Sequence, residues 1–244
     1  MDDVLAVLRA NGAVVVDPAN IPSLVDSDPE KNLLAWPICA GLANCKGRDT
    51  ACSTVFKYGM KRDFNAWLAS LGDAAPVKTL SDLRAWNLGN RPAGTLKYGQ
   101  ENLDISDEMD VAADRARYEA DRRKDLFVSA AHGIDEVMRV ERLDAILFPG
   151  PVGAAIAARP GYPTVMVPFA TVANLVTPAF PATFQARQSP FGVSFTGGAC
   201  SEPRLIALAY AFEQATRRRV QPQLFPYCRG RPQGRPLQAF WASN

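Results

Sequence analysis

Residues 143–170, LDAILFPGPVGAAIAARPGYPTVMVPFA, and residues 190–219, PFGVSFTGGACSEPRLIALAYAFEQATRRR, carry the reading on which the fold turns. AILFP (145–149) and PTVMVP (163–168) are short apolar runs bounded by Pro and Gly, the pattern of strands buried on both faces. FGVSFTG (191–197) predicts a third strand. Ser201 then offers an N-cap, with Pro203 in the first turn of a helix. Leu205, Leu208, Ala209, Phe212, Ala215 and Thr216 fall on one face of that helix, which is suited to covering a sheet.

Upstream the signals alternate in the same way. DDVLAVLRANG (2–12) reads as an amphipathic helix with acidic residues at its start and Gly12 as its stop. Ala13 to Val16 is a β-branched run ending at Asp17-Pro18, which predicts a buried strand followed by a turn. Helical spacing returns from Thr50 to Leu71, closed by Gly72, and Thr79 or Ser81 is placed to cap a further short helix. Residues 106–140 are rich in Ala, Arg, Asp and Glu and predict one long helix, interrupted near Gly133, whose charges form a solvated face. Together these elements predict an α/β fold: a mixed β-sheet flanked by helices.

Composition narrows the function classes. With 244 residues, 48% hydrophobic and 21% charged, the chain has the balance of a folded domain with a substantial core. The longest apolar runs fall far short of the roughly 20 residues of a membrane span. No basic-then-apolar leader follows Met1, so a cytoplasmic chain is expected. A net charge of +2 points to no nucleic-acid partner, and Arg217, Arg218 and Arg219 suit the end of a helix dipole. The five cysteines (Cys39, Cys45, Cys52, Cys200, Cys228) are an odd number at wide spacings and are read as reduced thiols. With His132 the only histidine, neither a metal site nor a cofactor is expected.

The blocks LRANGAVVVDPANI (8–21), FKYGMKRDFNAWLASLG (56–72), VKTLSDLRAWN (77–87) and LKYGQENLDIS (96–106), followed by the strands and helix quoted above, resemble the amidase-signature family in the same order. The resemblance covers about residues 4–226. It implies a single domain over 1–226, part of an α/β/α amidase sandwich, while the Pro-, Gly-, Arg- and Gln-rich composition of 227–244 predicts a disordered tail. The resemblance also implies amide hydrolysis by a Ser–Ser–Lys triad, in which a lysine acts through one serine to activate another.

That machinery is not found in this sequence. None of the eleven serines adjoins another serine or has glycine on both sides. Ser194 sits in strand alternation, one residue short of a nucleophile elbow. Lys57 and Lys61 are read as surface residues, and His132 as a polar or capping residue near a helix interruption. No catalytic residue is assigned. Ligands of open α/β sheets sit beyond the carboxyl ends of the strands, which singles out Pro149, Gly150, Gly153 and Phe169 as candidate substrate-pocket residues. The expectation is an amidase-like chain that is inactive alone. The alternatives are one half of a two-chain amidase or amidotransferase subunit, completed by a partner chain or by self-association, and a non-catalytic module that binds a small amide.

Overall fold

A computed structural model describes residues 1–39, 51–173 and 188–219. The helices are α1 (Asp2–Ala10), α2 (Pro22–Val25), α3 (Val55–Ser70), α4 (Leu80–Gly89), α5 (Glu101–Asp107), α6 (Arg115–Leu126), α7 (Asp135–Val140), α8 (Val152–Ala158) and α9 (Glu202–Thr216). The strands are β1 (Ile146–Pro149), β2 (Thr164–Val172) and β3 (Ser189–Thr196).

The strands lie in the order β1-β3-β2, and both pairings are antiparallel. β1 and β2 therefore run in one direction on either side of an oppositely directed β3. Thr196 stands between Ile146 and Thr164, and Val193 between Pro149 and Val167. Alternation sends Val193 and Phe195 to one face, where they pack with Val4 of α1 and Leu205, Ala209 and Phe212 of α9. The opposite face meets α8, whose Ile156 and Ala157 join Ile146, Val128, Ile134 and Trp36 in a second core. Gly153 is required here, because a Cβ on it would stand 2.2 Å from the Phe148 ring and 2.8 Å from Thr196 Oγ1. The central strand β3 is sealed on both faces, but β2, which the sequence predicts to be buried on both, is not: Val167 and Phe169 are buried while Met166 faces solvent.

Several expectations are corrected. Ala13 to Val16 follows α1 as predicted but forms no strand, and Val14 is 93% exposed. A β-branched run becomes a strand only when a ladder partner satisfies its backbone, and it has none among the described residues. The long helix of 106–140 is broken between α5 and α6 by its own aspartates. Asp110 Oδ1 accepts the amides of Ala112 and Ala113, both at 2.9 Å, and Asp114 Oδ2 accepts that of Asp110 at 2.7 Å, in competition with helical bonds. The interruption near Gly133 is present, as a π-helical segment Phe127–Ile134 in which His132 and Gly133 leave helical geometry. A Cβ at Gly133 would meet the Val128 carbonyl at 2.9 Å. Nor is the face of α6 wholly solvated, since Asp121 and Asp125 are buried. Finally, Cys39 and Cys52 form a disulfide where reduced thiols are expected, and Cys200 is free and exposed.

The tail at 227–244, Cys45 and Cys228 lie outside the described residues. Among the described residues no helix is long and apolar enough to cross a membrane.

Candidate functional site

The parallel course of β1 and β2 brings their carboxyl ends to the same end of the sheet. Pro149 closes β1, and Gly150, with φ of 55°, turns the chain so that its amide donates to the Gly192 carbonyl at 2.8 Å. Gly192 is also the register partner of Pro168, so Gly150 and Pro168 flank one position of β3. Gly153 is buried one turn further on, against β3 rather than facing outward. Phe169 lies at the irregular step between Pro168 and Ala170, and its ring is buried against Phe212, centroids 5.7 Å apart, with the Arg218 guanidinium 4.3 Å above it. Pro149 and Gly150 thus stand at the strand ends, whereas Gly153 and Phe169 are packed within the two cores. None of the four lines a groove of about 900 Å³ that opens along β1.

Ser194 is fully buried and its hydroxyl donates to the Gly150 carbonyl, which makes it a tie between β3 and the β1–α8 turn. Lys57 is buried rather than on the surface. The Nζ of Lys61 donates to the Asp107 carbonyl at 2.7 Å and pairs with the Asp107 carboxylate at 3.2 Å. Neither lysine stands free in an open cleft, which is where a base activating a hydroxyl must reach substrate.

The densest polar chemistry lies on α6. Asp125 accepts from Trp36 Nε1 at 2.9 Å, Ser53 Oγ at 2.7 Å and Arg159 Nη1 at 3.1 Å. One turn earlier, Asp121 accepts from the Thr54 amide and hydroxyl and from Arg117. Burial lowers the Arg159 pKa, and the Asp125 carboxylate works against that shift. The i, i+4 spacing of Asp121 and Asp125 was visible in the sequence. What gave no signal is that their partners come from segments tens of residues away.

His132 is the other focus. Its Nε2 is 2.8 Å from Asp26 and its Nδ1 2.9 Å from Glu136, and its ring stacks on Phe127. Burial alone would push its pKa down, but the hydrogen bonds and charges of Asp26 and Glu136 outweigh it and hold the imidazolium above its ordinary range. Asp26 is held below its ordinary range, first by the Asp28 amide and then by His132. Lys31 and Asp28 pair with each other nearby. A raised histidine pKa stabilises the fold fully below the unfolded value near pH 6.5, and that contribution disappears as pH rises through the folded value. The lowered Asp26 pKa works from the acid side, contributing above its unfolded value and fading as pH falls through the folded one. The urea midpoint of the native chain is therefore expected to fall relative to that of His132→Gln as pH rises from about 6 to 8.5. Parallel curves for the two proteins would contradict the bridge. Among the described residues no group of His, Cys, Asp and Glu is arranged to hold a metal ion.

No protein-family model matches the chain. A probable amidase from Arabidopsis thaliana is 27% identical over 224 residues, covering 91% of this chain and 37% of its own length. The peptide amidase of Stenotrophomonas maltophilia, in its crystal structure, superposes with a TM-score of 0.57 at 31% identity, over 70% of this chain and 34% of that enzyme. The chain is an amidase-signature relative. An amidase family protein from Bacillus anthracis repeats the fold at a TM-score of 0.62 and 20% identity, over 91% of this chain and 36% of its own. This amidase relative spans just over a third of the length of the proteins it matches.

Proposed function

We propose that this chain supplies the β1–β3–β2 sheet and covering helices of an amide-hydrolase scaffold, as one domain over residues 1–226, and performs no hydrolysis by itself. The observation that carries the reading is the state of its hydroxyls and amines. Its best serine candidate, Ser194, is buried and donates to a carbonyl, Lys57 is buried, and Lys61 is held by Asp107. Amide hydrolysis requires a positioned nucleophile and base, together with donors for the oxyanion. The barrier to be removed is on the order of 10 kcal/mol or more. A hydroxyl and a lysine that are buried, and a lysine held by a carboxylate, do not supply that.

The test is turnover of simple aliphatic and aromatic amides and of peptide amides by the purified chain. The expected result is no release of ammonia above the uncatalysed rate and no labelling by a serine-directed fluorophosphonate. Hydrolysis that the fluorophosphonate abolishes would overturn the proposal.

A further inference from the structure

The groove along β1 has a shape that the scaffold itself does not use. Its floor is apolar and helical, built from Leu8 of α1 and Leu208 and Phe212 of α9. One wall is residues 143–147, leading into and along β1; the other is residues 13–17. Both walls are unfilled as ladders. Among the described residues β1 pairs with β3 alone, leaving its outer edge toward the groove. On the other side the Ala13 amide returns to the Leu8 carbonyl, and among the described residues no hydrogen bond engages the amides of Val14, Val15 or Val16.

A small-molecule pocket presents convergent side-chain polar groups on an apolar lining. This groove instead presents, among the described residues, the open outer edge of β1 and the unladdered Val14–Val16 run over an apolar floor, which is the complement of an extended peptide. The run α1 then Ala13–Val16 has the order of the second half of a strand–helix–strand unit, in which sequential strands are usually neighbours in the sheet. The relatives indicate where such a strand comes from: more than half of each relative's length has no counterpart in this chain.

We infer that the groove between Ala13–Val16 and β1 is a docking slot for one β-strand, supplied by the complementary portion of an amidase-like polypeptide. The inference rests on the scaffold reading of the chain. The strand lies over α1 and α9, hydrogen-bonds to both walls, and turns the three-stranded sheet and the Val14–Val16 run into one continuous sheet. The rim residues Asp17, Glu141, Arg142 and Asp144 carry both signs of charge and leave selection to the apolar floor.

The probe is a set of short overlapping peptides spanning the part of the Arabidopsis amidase that this chain does not match, tested by fluorescence polarisation and amide hydrogen exchange on the full chain. A β-branched peptide is expected to bind and to slow exchange at both Val14–Val16 and Asp144–Leu147. Val15→Lys, which puts a charge on the groove wall, is expected to weaken that binding about tenfold while leaving the melting temperature within a few degrees. The inference is overturned if no peptide slows exchange at both walls, or if Val15→Lys binds every peptide as tightly. It is also overturned if the walls are already protected in a concentration-dependent way without peptide, since a second copy then fills the slot. Failure of the two readings can be told apart. An inactive chain that binds no strand sinks only the slot, and a chain that hydrolyses amides alone sinks only the scaffold proposal.

Discussion

Asp125→Ala is expected to cost this protein about 3–5 kcal/mol, the range for removing one partner of a buried ion pair. The Asp125 side chain is 4% exposed and that of Arg159 10%, so water does not replace what is lost. Three donors converge on the carboxylate: an indole N–H, a hydroxyl and a guanidinium. Alanine strands all three, and the charged one dominates, because a buried guanidinium without a counter-charge is far costlier than an unsatisfied hydroxyl. Arg159 retains only its bond from Nη2 to the Trp36 carbonyl, at 2.7 Å, as a link to the N-terminal segment. Against a total stability of about 5–15 kcal/mol, the loss is a fifth or more. Asp125→Asn keeps an acceptor oxygen and the shape, and Ser53 is able to accept from the new amide, so it is expected to lie between the two. Urea unfolding of the three proteins checks this. An unfolding free energy for Asp125→Ala within about 1 kcal/mol of the native value would show that the network is not what joins α6 to the segments at Trp36 and Ser53.

That network also marks where the sequence stopped being readable. Elements with a local cause were legible. Thr79 caps α4 by accepting the Asp82 amide at 3.1 Å, Pro203 stands in the first turn of α9, and the three strands fall where the apolar runs do. Gly133 announced its kink because no other residue fits against the Val128 carbonyl. Two kinds of information were not local. The state of Ala13–Val16 depends on whether a neighbour pairs with it, and nothing within the run says so. The burial of Asp121 and Asp125 depends on Thr54, Trp36 and Arg159, brought in from 34 to 89 residues away. Charge on a helix suggests a solvated face by default, and only distant partners reverse that. The placement of the four candidate residues was half legible for the same reason. Strand direction placed Pro149 and Gly150 at the sheet end, but Phe169 alternates with Val167 onto the face that α9 covers, which takes its ring into the core.

Breaking the Cys39–Cys52 bond is expected to lower stability by about 3 kcal/mol, the loop-entropy value for a closure of this size. The two cysteines are 13 residues apart, so reduction chiefly frees the unfolded chain. The folded geometry has independent support: the Cys39 amide donates to the Ser53 carbonyl and the Ser53 amide to the Pro37 carbonyl, both at 2.9 Å, and Arg117 reaches the Cys52 carbonyl at 2.8 Å. Cys39→Ser is therefore expected to lower the urea midpoint without changing the near-UV spectrum of the folded state. Ser53 touches both this staple and Asp125, so the double variant Cys39→Ser/Asp125→Ala is expected to depart from additivity, as coupled neighbours do. A thiol count decides the premise. Protein purified without reductant and unfolded in urea should show two fewer titrating thiols than the five cysteines of the sequence. Five titrating thiols would restore the reduced state read from the cysteine spacing. The backbone bonds among Pro37, Cys39 and Ser53 would then be what joins the two ends of the segment, while Asp121 and Arg117 still hold Thr54 and Cys52 to α6 when Asp125 is removed.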